Sequence, residues 1–129
     1  MDTSETYIKM CDCPEIQEQA QYEIFNYFIC VQTGQIRFSH INDYDYMKNM
    51  NMLQKEREYI WLPRQDQIQQ MIGLELGELI NGFDSFCNGI LRMYDCSDDF
   101  PNSMEQLWLA FYMHEKHGKI WDGEKWITK

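Results

Sequence analysis

The stretch SMEQLWLAFYMHEKHG, Ser103–Gly118, carries its own start and stop signals. Pro101-Asn102 breaks the chain ahead of it. Ser103 is a good N-cap, and Gln106 completes a Ser-x-x-Gln capping box. Glu105 suits the positive end of the helix dipole, while Lys116 and His117 suit the negative end. Gly118 fits the left-handed residue that follows a last turn. Between the caps lie Met104, Leu107, Trp108, Leu109, Ala110, Phe111, Tyr112 and Met113, apolar on nearly every side. Such a helix must be covered from more than one direction, so the remaining elements have to supply the cover.

Upstream, Leu76, Leu79, Ile80, Phe83, Phe86, Cys87, Ile90 and Leu91 fall on one broad face of a long amphipathic helix, 75–94. A shorter helix, 66–73, precedes it. There Asp66 is placed as N-cap with Gln69 three residues on, and Ile68, Met71 and Ile72 follow at helical spacing. Gly73 marks its end or a loosened turn. Downstream, Asp122-Gly123 lies between aromatic and β-branched residues and predicts a hairpin over 119–128, with Trp121 and Trp126 anchored on the body of the protein.

The first half has a different texture. Residues 3–20 predict a helix with Thr3 or Ser4 as cap and with Tyr7, Met10 and Cys11 on one face. Pro14 should kink it, or stop and restart it. Residues 22–31 are rich in aromatic and β-branched types and predict a strand. Thr33-Gly34 turns it into Ile36–His40, giving a hairpin over 22–40. Residues 42–56 predict a connecting loop. Residues 58–62 predict another strand, closed by Pro63. Strands and helices are segregated rather than alternating. The expected fold is therefore α+β: a single domain, 1–129, with a small antiparallel sheet against about three to four helices, 3–20, 66–73, 75–94 and 103–117.

Composition bounds the function classes. With 44% hydrophobic and 15% aromatic residues, the chain has material for a core. The formal net charge is −10, and the cations are not clustered. Direct nucleic-acid binding and attachment to anionic membranes are therefore not expected. The acidity reads as a solvated surface; its sharper alternative is a mimic of nucleic acid that fills a basic cleft. No apolar run reaches the roughly 20 residues of a membrane span, and no export signal is read. The five cysteines, Cys11, Cys13, Cys30, Cys87 and Cys96, are an odd set without a paired framework, which predicts reduced thiols in a cytoplasm.

Candidate chemistry is sparse. Cys11 and Cys13 together with His114 and His117 would make a Cys2His2 set for zinc. Structural zinc sites favour cysteine pairs two to four residues apart, so no metal and no cofactor is assigned. Glu75 and Glu78 read as a wet helix face. No nucleophile, base and orienting group come together in one motif, so no catalytic residue is assigned. Trp61, Arg64 and Trp126 are the residue types that anchor interfaces, and they stand as candidate partner-binding residues.

Four strings, TSETYIKMC (Thr3–Cys11), IWLPRQDQ (Ile60–Gln67), SMEQLWLAF (Ser103–Phe111) and GKIWDGEKW (Gly118–Trp126), resemble in order the blocks of a family of small uncharacterised proteins encoded by bacteriophages and prophages. Cys13-Pro14 departs from the helical continuation of the first block, and segment 21–58 carries no recognised block. The resemblance implies an accessory protein in the host bacterial cytoplasm. It is expected to act as a non-enzymatic binding or regulatory module on a host or viral protein, in one version as an inhibitor of host defence. The alternatives are a small metal-dependent or Cys/His enzyme and a self-associating structural protein.

Overall fold

The computed structural model describes residues 1–20, 26–38, 59–94 and 100–128. They form an α+β fold whose residues group into two compact units, Thr3–Arg64 and Met1–Asp2 with Gln65–Lys129.

In the first unit, α1 spans Glu5–Cys11 and α2 spans Pro14–Gln17. Ser4 opens α1 by accepting a hydrogen bond from the Tyr7 backbone N–H at 3.2 Å. Tyr7, Met10 and Cys11 are fully buried, as their spacing requires. The helix expected over 3–20 is instead two short helices. Cys13 is extended at φ −148°, and Pro14 sits in the first turn of α2, where its missing N–H costs nothing.

Three strands follow: β1 at Tyr27–Cys30, β2 at Ile36–Phe38 and β3 at Tyr59–Leu62. They form an antiparallel sheet in the order β2-β1-β3, with Ile29 opposite Ile36 on one side and opposite Ile60 on the other. The connection around Thr33-Gly34 is wider than a two-residue turn. The Cys30 N–H donates to Gln35 O at 3.0 Å, and the Gly34 N–H donates to Cys30 O at 2.8 Å. The expected strand start at 22–25, the end of its partner at 39–40 and the loop expected over 42–56 lie outside the described residues.

β3 is an edge strand, and the Gln17 carboxamide closes it. Gln17 Oε1 accepts from Trp61 N at 2.9 Å, and Gln17 Nε2 donates to Trp61 O at 3.0 Å and to Cys11 O at 2.8 Å. One side chain thus supplies the donor and the acceptor that a further strand would offer. Tyr7 adds a bond from its hydroxyl to Pro63 O at 2.6 Å. The helices α1 and α2 are held to β3 by these contacts, and Phe28, Trp61 and Leu62 of the sheet are buried.

In the second unit, α3 spans Gln65–Ile72, α4 spans Leu76–Asn88 and α5 spans Met104–His117. Ser103 Oγ accepts from Gln106 N at 3.1 Å, and Gly118 takes the left-handed conformation at φ +62°, so both caps of α5 form as expected. The box closes one residue early, because Gln106 Oε1 accepts from Asn102 N at 2.9 Å rather than from Ser103. Gln106 Nε2 and Ser103 Oγ both donate to the Asp2 carboxylate. This leaves Gln106 buried with its polar atoms satisfied.

Trp108, Leu109, Ala110, Phe111, Tyr112 and Met113 of α5 are all buried. α3 packs along α5 with Ile68 and Ile72 fully buried. Asp66 is not the N-cap of α3 but lies in its first turn, where the helix dipole still favours a carboxylate. α4 covers another side of α5. A Cβ at Gly82 would stand 3.3 Å from Phe111 Cζ, so the bare glycine permits the close approach. The helix expected over 75–94 ends at Asn88. Gly89, at φ −119° and ψ −81°, separates it from a 3-10 turn, Ile90–Met93.

β4 (Lys119–Trp121) and β5 (Trp126–Thr128) form the tail hairpin, a two-stranded sheet of its own rather than part of the β1–β3 sheet. Gly123 and Glu124 take the centre of its turn, one residue later than the sequence suggests. Asp122 N donates to Lys125 O at 3.0 Å, and Trp121 pairs with Trp126.

The Gln17 clasp has a direct test. Gln17→Ala leaves the outward N–H and C=O of Trp61 without their side-chain partners and should cost about 1–3 kcal/mol in denaturant unfolding. Gln17→Glu should cost at least as much at neutral pH, since it places a carboxylate oxygen against Trp61 O and Cys11 O. Loss of hydrogen-exchange protection at the Trp61 amide reports the clasp itself. Unchanged stability and unchanged protection in both variants would refute it.

Candidate functional site

The broad apolar face of α4 divides in two. Leu79 and Phe86 are buried at 8% and 3% exposure, on the side that meets α5. Leu76 and Ile80 are 73% and 57% exposed. With half-buried Phe83 they form a stripe at i, i+4 and i+7 along one flank of the helix.

Phe83 joins the stripe to the core. Its ring stacks on Trp108 with centroids 3.8 Å apart and planes 4° apart. Trp108 and Phe86 each pack against Phe111, at 6.0 and 5.5 Å. Phe86 also meets Tyr94 edge-on at 6.2 Å, and Tyr94 stacks on Phe100 at 5.8 Å. Aromatic pairs of this kind add about 0.5–1.5 kcal/mol each beyond area burial, so the stripe rests on a rigid base. Met104, one turn ahead of Trp108 on α5, is a further exposed apolar side chain at 46%. Single exposed apolar residues need no explanation, but a continuous stripe on a rigid helix does.

The charges that α4 and its N-cap carry have one sign. Glu75 adjoins Leu76, Asp84 adjoins Phe83, and Glu78 lies within the same helix; all three are exposed. No Lys or Arg occurs between Arg64 and Arg92. Glu75 and Glu78 thus belong to a wet helix face.

The other candidate residues are placed as follows. Trp61 lies in β3 at 2% exposure, with its backbone held by Gln17, and serves the core rather than a surface. Arg64 is half-buried at the end of the first unit. Trp126 is half-buried in the tail hairpin of the second unit, where it meets Trp121 edge-on at 5.1 Å. Cys11 is fully buried in α1, and the Cys13 thiol lies 3.6 Å from Met10 O. His114 packs on Phe86, and His117 Nε2 lies 3.4 Å from the Tyr112 hydroxyl. Among the described residues no group of three or more His, Cys, Asp or Glu side chains is placed to hold a metal ion. Burial pushes the Cys87 thiol up from its ordinary value, and Asp84 adds to the shift. That disfavours the thiolate a nucleophile requires. No described helix is long and apolar enough to cross a membrane.

The sequence places Leu76 and Ile80 on the apolar face but does not separate them from Leu79 and Phe86. The usable signal is the width of that face, which exceeds what one neighbouring helix covers.

Asp122 fixes the turn beneath Trp126. Its Oδ1 accepts from Glu124 N and Lys125 N, both at 2.8 Å. These two bonds, the Glu124 amide first, hold the carboxyl below its ordinary value. Its contribution to hairpin stability is therefore complete above the unfolded value and is lost as pH falls through the folded one. The Glu124 and Lys125 amide resonances should titrate with a midpoint below that of a free aspartate, and Asp122→Ala should abolish the titration and loosen the Trp121–Trp126 pair. A midpoint at the ordinary value would refute the assignment.

Comparison with family models, with curated proteins and with solved structures finds no match to the chain.

Proposed function

We propose that this chain is a non-enzymatic binding module of bacteriophage or prophage origin that acts on a host protein in the bacterial cytoplasm, inhibition of a host defence protein being its specific form. The observation that carries the binding reading is the α4 stripe: Leu76 and Ile80 stand largely in water beside a rigid aromatic base. Apolar side chains held in this way are the anchors that binding surfaces use. The viral origin and the host target rest on the resemblance of the four strings Thr3–Cys11, Ile60–Gln67, Ser103–Phe111 and Gly118–Trp126.

The test is affinity purification from host bacterial lysate with the full chain as bait, followed by assay of the partner's own activity with and without the chain. One specific partner in stoichiometric amount, with its activity altered, is the expected result. Repeated recovery of no specific partner, or turnover of a substrate by the chain alone, would overturn the reading.

A further inference from the structure

From the charge around α4 we infer what the stripe docks against: an apolar groove rimmed by Lys and Arg on a different protein. The inference rests on the binding-module reading and names the chemistry of its partner.

Three observations converge. Leu76, Ile80 and Phe83 repeat at i, i+4 and i+7, the spacing by which a helix fills a groove. Glu75 and Asp84 lie at the two ends of that stripe, and the sequence from Gln65 to Leu91 carries no cation. The stripe is also presented by a helix whose adjoining flank is locked to α5, Phe83 and Phe86 both packing on Phe111. Little ordering entropy is then lost when the helix docks.

A second copy of this chain is the poorer occupant. Pairing two α4 stripes sets Glu75 and Asp84 of each copy near those of the other, between bodies that each carry a net charge of −10. An anionic lipid surface is disfavoured by the same charge. A groove with a basic rim satisfies both halves of the surface: the apolar walls take Leu76 and Ile80, and the rim pairs with the carboxylates.

The probe is a synthetic amphipathic helical peptide with leucine on one face and lysine on both flanks, set against a twin with glutamate in place of lysine. Each is titrated into the isotope-labelled full chain and followed by amide chemical shifts. The lysine peptide should bind about tenfold or more tighter than its twin, weaken with added salt, and shift the amides of α4 around Leu76, Ile80 and Phe83. The Leu76→Asn/Ile80→Asn double variant keeps every charge and, since both positions are exposed, keeps the fold. It should lose about tenfold or more of that binding.

Equal binding of the two peptides, shifts confined to residues outside α4, or undiminished binding by the double variant would overturn the inference. So would sedimentation showing a dimer that the double variant abolishes, since the occupant would then be a second copy. A host protein captured equally by the natural chain and by the double variant would preserve the binding-module reading while removing this face from it.

Discussion

The side chains of α5 leave the helix no wet side along its middle turns, and the second unit is arranged around that fact. α3 brings Ile68 and Ile72 to it, α4 brings Phe83 and Phe86, and β4 places Trp121 beside it in the hairpin that follows Gly118. Each of these elements is short or amphipathic, and in isolation would be marginal in water. The apolar residues that they bury pack against α5. The caps at Ser103 and Gly118 then matter doubly, because they fix where the buried cylinder starts and stops.

The first unit solves a different problem. A three-stranded sheet has two edges, and an edge offers unpaired backbone groups to any passing strand. At β3 the answer is a single side chain. Gln17 imitates a strand by presenting a donor and an acceptor to Trp61, and it can do so because Pro14 restarts the chain as α2 at the right distance. Placing a polar carboxamide there ties the helical layer to the sheet in a specific register, which apolar contacts between Tyr7, Met10 and the strands do not by themselves enforce.

Set beside these closed arrangements, the α4 stripe is the feature that the packing leaves over. The core takes Leu79 and Phe86 and leaves Leu76 and Ile80 outside. The acidic residues at the ends of the stripe give it a polarity that the core does not need. The tryptophans that invite a binding interpretation from composition divide otherwise: Trp61 and Trp121 serve the interior, Trp108 forms the base under Phe83, and Trp126 leans on its neighbour in the hairpin.

What the sequence by itself determined were the features set by local chemistry. The caps of α5, the burial of Tyr7, Met10 and Cys11, the β1–β2 hairpin, β3 ahead of Pro63 and the tail hairpin depend on residues within a few positions of one another. The interruption at Pro14 was also visible, though not its form. Tertiary structure decided what depends on distant partners. The tail hairpin stands as its own sheet because its strands pair only with each other. The helix expected to run to 94 ends at Asn88, and Gly89 turns the chain into a separate 3-10 segment. Gln17 became an edge clasp because Trp61 arrives from far along the chain. The division of the α4 face into a core half and an open half was likewise fixed only when α5 covered one side and left the other to solvent.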